Sequence, residues 1–121
     1  MTDIETKSKA AYKMLLGHDL KNAFNRFVEN KGDKSEIVTS LLIDFLTGKY
    51  SLYSLIDEED KYFSKQRAEE KIVEDDVLHV RIDNDLYNSF VKRCNDFGMS
   101  ANTVGRALVL RFVNDNGASL M

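Results

Sequence analysis

Proline and tryptophan are both absent from this chain, and cysteine occurs once, at Cys94. Without proline the usual marker of rigid loops is missing, which favours a helical chain with few irregular turns. A lone cysteine forms no intrachain disulfide. Cys94 and the two histidines, His18 and His79, lie far apart and show no metal-ligand spacing. No glycine-rich phosphate loop and no nucleophile elbow occurs. Carboxylates are plentiful, but they gather in a stretch that reads as a solvated helix. These absences argue against an enzyme, and they imply no cofactor, no metal and no small-molecule substrate. Apolar runs extend only a few residues, far short of a membrane span. The segment Met1 to Ala10 is polar and charged, unlike a signal peptide. The expectation is a cytoplasmic protein with no membrane partner.

What is present suffices to fold. The 121 residues, 43% hydrophobic and 31% charged, fit one compact domain, 1–121, and leave no room for a large catalytic α/β enzyme. The formal net charge of −3 is unevenly spread. Residues 1–48 hold seven basic and seven acidic side chains, 49–76 five and nine, and 77–121 five and four. The acidity belongs to the middle, so total charge is a poor guide to either flank.

Residues 77–115 carry the clearest pattern. In Val77-Leu78-His79-Val80-Arg81-Ile82, period-two alternation puts Leu78, Val80 and Ile82 on one face of a short strand and Val77, His79 and Arg81 on the other. Asp83 is a natural helix N-cap. Leu86, Phe90, Cys94 and Phe97 then recur at helical spacing, and Gly98 suits the left-handed residue that ends a helix. Ser100 caps a second helix, whose stripe is Val104, Ala107, Leu108 and Phe112, widened by Leu110 to Val113, with Gly117 beyond its end.

Residues 11–48 repeat this order more faintly. Tyr12, Met14 and Leu16 alternate with Ala11, Lys13 and Leu15, and Gly17 stands where the second copy has Asp83. Leu20, Phe24 and Phe27 form a helical stripe ending at Gly32. Asp33-Lys34-Ser35-Glu36 reads as a capping box. Ile37, Val38, Leu41, Leu42, Phe45 and Leu46 follow on one helical face, closed by Gly48. An internal duplication explains both halves. A unit of ~40 residues is too small to bury a core alone, and a lone strand leaves both edges unpaired. Both deficits vanish if the strands Tyr12–Leu16 and Leu78–Ile82 pair antiparallel over four helices. Residues 49–76 are too long for a bare loop. Leu52, Leu55, Ile56, Tyr62 and Phe63 predict an extra helix over 52–72, with Asp57 and Lys61 as an i,i+4 pair and an acidic outer face.

The run Val80-Arg81-Ile82-Asp83-Asn84-Asp85-Leu86-Tyr87, with Gly98 and Ser100 and then Val104 and Ala107-Leu108, resembles the ribbon–helix–helix (MetJ/Arc) family of DNA-binding proteins. In the first copy Gly32-Asp33-Lys34-Ser35-Glu36-Ile37-Val38 matches the family's inter-helix turn. Two units in one polypeptide look like the single-chain TraY-type arrangement. The resemblance implies a mainly α fold with a two-stranded antiparallel β-ribbon, a tandem pseudo-dimer with units at 11–48 and 77–115, and an acidic helical linker at 49–76. It further implies a partner, double-stranded DNA, whose major groove admits such a ribbon. Carried over, the base-contacting residues are His79, Arg81 and Val77 from the second strand, and Lys13, Ala11 and Leu15 from the first. Phosphates would rest on the second helix of each unit, at Ser100, Ala101 and Asn102 and at Lys34 and Ser35. A carboxylate at Asp33 is a departure from that anchor.

The roles implied are a transcriptional repressor or a plasmid or phage DNA-processing accessory factor, as in conjugation. Each has a plainer counterpart. His79, Arg81 and Lys13 also suit a solvated strand face, Ser100 is a cap in any reading, and Cys94 and the apolar side of 52–63 read as core. His18 reads as surface. The competing class is a protein-interaction module, a phage- or plasmid-encoded modulator of a host protein that keeps the fold without DNA contact. In either class the linker helix can serve self-association or a protein partner.

Overall fold

The computed structural model describes residues 9–31, 33–68 and 77–117. Along them run β1 (Lys9–Leu15), α1 (His18–Lys31), α2 (Lys34–Leu46), α3 (Leu52–Ala68), β2 (Val77–Asp83), α4 (Asn84–Asp96) and α5 (Ala101–Asp115). The described chain is mainly helical, and β1 and β2 form a two-stranded antiparallel sheet.

Alternation sets the faces of both strands. Tyr12 and Met14 of β1, with Leu78, Val80 and Ile82 of β2, are buried, while Lys9, Ala11, Lys13, His79 and Arg81 are exposed. β1 differs from the expected span of 12–16, beginning at Lys9 and ending at Leu15. Lys9, Ala10 and Ala11 have little intrinsic strand preference. They are extended because they pair with Asp83, Ile82 and Arg81. Leu16 is buried but follows the strand, just before the chain turns.

The turns follow from local chemistry. Gly17 has φ 83°, a left-handed value that disfavours any side chain, and its carbonyl accepts from Lys21 N–H at 3.0 Å to open α1. Asp83 opens α4 differently, its carboxylate accepting from Leu86 N–H at 3.1 Å. α2 and α4 end alike, in the back-bonded geometry that a left-handed glycine allows. Lys49 N–H donates to the Asp44 carbonyl and Met99 N–H to the Cys94 carbonyl, both at 2.9 Å. Asp33 N–H donates to Glu36 Oε1 at 3.3 Å, the reciprocal bond of a capping box. Ser100 Oγ accepts from Thr103 N–H at 3.1 Å to cap α5. Gly32 lies outside the described residues.

The second helix of each strand–helix–helix run reaches the strand of the other run: α2 packs on β2 and α4, and α5 on β1 and α1. Phe24, Phe90, Met14, Leu20, Ile82 and Leu108 fill the shared interior. Tyr12 crosses it. Its hydroxyl donates to the Ala101 carbonyl at 2.6 Å, and its ring lies 5.1 Å from that of Tyr87. Burial pushes this phenol above its ordinary range. Gly105 lets α5 approach, since a Cβ there would collide with the Tyr12 hydroxyl.

α3 starts at Leu52 as the spacing predicts and is described to Ala68; residues 69–72 of the expected helix lie outside the described residues. It packs on α5 through buried Leu55, Tyr62 and Phe63. Its carboxylates do not all face outward. Glu59 is only 5% exposed, and Arg106 Nε donates to its Oε2 at 2.7 Å while the guanidinium stacks 4.2 Å from the Phe63 ring. Beside it Arg111 Nε donates to Glu58 Oε1 at 2.8 Å and its terminal nitrogen to Ser54 Oγ at 2.7 Å. A carboxylate is tolerated at such depth only with its counter-charge in place. Asp57 and Lys61 form the expected pair at 3.1 Å on the exposed side.

Candidate nucleic-acid interface

The antiparallel register sets the outward side chains in four rows: Lys9 opposite Asp83, Ala11 opposite Arg81, Lys13 opposite His79, and Leu15 opposite Val77. Side chains two apart share a face of the pleat, so these rows form one surface. Lys13, Ala11, His79 and Arg81 are exposed, whereas Leu15 and Val77 are half-buried.

The rim comes from helix starts. Lys34 and Ser35, in the first turn of α2, line a concavity together with Ala11, Lys13, His79 and Arg81. Six of the residues singled out in the sequence, from three separate elements, therefore meet in one place. At the opposite end of the ribbon, Asn102 Oδ1 accepts from Leu15 N–H at 3.1 Å and fixes the start of α5 beside that row. The Asn102 side chain thus has a structural task that sequence reading missed. Ala101 shares it, through the carbonyl that accepts from Tyr12. Ser100 is exposed, with its oxygen engaged by Thr103.

The electrostatics separate two kinds of basic side chain. Arg106 and Arg111 are neutralised by α3. None of the ion pairs among the described residues engages Lys13, His79 or Arg81. Carboxylates stand close by, since Asp33, Glu36 and Asp83 line a second concavity with Lys9 and Arg81. Lys9 was missed in the sequence. Extending the alternation two residues back from Ala11 would have found it, but Lys9-Ala10 carries no strand signal of its own. Other chemistry is poorly supplied. Cys94 is buried, and burial pushes its thiol up to about 11, so it stays protonated near neutrality. Among the described residues no group of three or more His, Cys, Asp or Glu could hold a metal ion, and no helix is long and apolar enough to cross a membrane.

No family model matches the chain, and no curated protein or solved structure matches it at a significant level. What the surface can do follows from its composition. A two-stranded ribbon fits the major groove, where lysine, histidine and arginine donate to base edges and helix starts donate to phosphate oxygens.

Proposed function

We propose that this chain binds double-stranded DNA by laying the β1–β2 ribbon in the major groove. The observation that carries the reading is the meeting of exposed Lys13, His79 and Arg81 with the start of α2 on one outward face. On this reading the two strand–helix–helix runs are the halves of a single-chain ribbon–helix–helix pseudo-dimer. The reciprocal packing of α2 on β2 and α5 on β1 supports it. The start of helix α1 stands 66 residues before that of α4, and Lys13 stands 66 residues before His79, its direct partner across the ribbon. A two-fold axis through that pair would relate the halves. The role is then that of a transcriptional repressor or of an accessory factor in plasmid or phage DNA processing.

The carboxylates of Asp33, Glu36 and Asp83 around Arg81 favour a second reading, a protein-interaction module of the same fold. Retention on random-sequence duplex DNA across a salt gradient separates the two. A DNA binder is retained at low salt and released steeply as salt rises, because each neutralised phosphate frees a counterion. Absence of retention at low salt would leave the interaction module as the better account.

A further inference from the structure

The ribbon has two chemically unlike ends. Arg81 projects at one, opposite Ala11, with Lys9 and Asp83 beyond. Leu15 and Val77 form the other, a row with no side-chain polar atom. Lys13 and His79 stand between them. The flanking helix starts differ in the same sense. Asp33, Ser35 and Glu36 of the α2 start share a concavity with Lys9 and Arg81, whereas the α5 start, tied to Leu15 through Asn102, begins Ser100-Ala101-Asn102 and carries no charge. A ribbon of two identical strands would carry the same residues at both ends; this one cannot.

We propose, resting on the DNA reading above, that the ribbon reads its duplex with a fixed polarity: guanine at the Arg81 end and thymine at the Leu15–Val77 end. The guanidinium fork matches the paired acceptors O6 and N7 of guanine, and arginine is the commonest partner of that edge. Leucine and valine offer neither donor nor acceptor. Against them an amino group or a carbonyl oxygen of a base loses water without gaining a partner. The apolar feature that the major groove presents is the thymine methyl. Arg81 and Val77 are four residues apart on β2. At ~3.4 Å per residue that spans roughly 14 Å, about four base pairs at the ~3.4 Å nucleotide spacing of a strand. The preferred site is therefore non-palindromic, and the protein sits on it in one orientation.

Selection of bound duplexes from a random pool tests this, using the full chain and its Arg81→Ala, Arg81→Lys and Val77→Thr variants, each checked for a native melting transition. Val77→Thr keeps the β-branched shape and adds a hydroxyl. The wild type should enrich one asymmetric motif, with guanine at one end and thymine about four base pairs away. Arg81→Ala should reduce the guanine preference by about tenfold or more and leave the thymine end unchanged. Arg81→Lys should restore overall affinity better than it restores that preference, because the fork is lost and the charge kept. Val77→Thr should alter the thymine end alone. A palindromic motif, or relaxation of both ends by Arg81→Ala, overturns the polarity while DNA binding stands. No enrichment over the input pool overturns the DNA reading, and the polarity with it.

Discussion

Neighbouring residues on β2 have opposite duties. Val80 is buried beneath the ribbon and Arg81 is exposed above it, one position on. Val80→Ala should cost on the order of 1–3 kcal/mol through lost burial and a cavity. Arg81→Ala should leave stability within about 0.5 kcal/mol of wild type, as is usual for surface sites, and weaken DNA binding. Urea denaturation of both variants checks the first pair of outcomes and a duplex titration the second. If Arg81→Ala unfolds the protein, the strand faces are inverted. The strand faces were legible at this scale because the alternation is clean. The task of Asn102 was not. A polar residue near a helix start reads as a cap or an anion contact, and the Leu15 N–H that it accepts lies 87 positions away.

At the scale of elements, the packing of α3 on α5 rests partly on two ion pairs of unequal depth. Side chains of Arg106 and Glu59 are 11% and 6% exposed, against 20% and 33% for Arg111 and Glu58. Removing one partner of a buried pair strands the other charge, so Glu59→Ala should destabilise by about 3–5 kcal/mol. Glu58→Ala should cost less, on the order of 1 kcal/mol, since water screens its pair. Thermal or urea melts of the two variants rank them, and equal losses would contradict the inequality. The helix itself was legible from its apolar spacing. The inward turn of Glu58 and Glu59 was not, because an acidic run reads as a solvated face until the arginines of another helix are placed against it.

The start of α2 raises a second question of element design. Asp33 caps this helix where a phosphate is proposed to sit, and the two negative charges repel. Asp33→Ser keeps a good N-cap and removes the carboxylate. It should tighten duplex binding at low salt with stability nearly unchanged, measured by parallel DNA titrations and melts. Weaker binding would mean that α2 does not face phosphate.

For the whole molecule, the acidic total conceals a division of labour. The middle segment supplies the net negative charge, and through Glu58 and Glu59 it neutralises Arg106 and Arg111 on α5. On the ribbon, Lys13, His79 and Arg81 are left facing solvent. The order strand, helix, helix was legible twice over because each run carries its own alternation, stripe and glycine stop. The antiparallel pairing of the two strands was legible because neither strand–helix–helix run could bury a core alone. The exact reach of β1 was not, since Lys9 to Ala11 become extended only when β2 lies beside them.

The most direct measurement is a titration of the labelled protein with duplex DNA, following each backbone amide by NMR. Groove binding through the ribbon predicts shifts concentrated at residues 9–15 and 77–83 and in the first turns of α2 and α5, with the amides of α3 nearly still. Shifts centred on α3, or none at saturating duplex and low salt, would contradict the account.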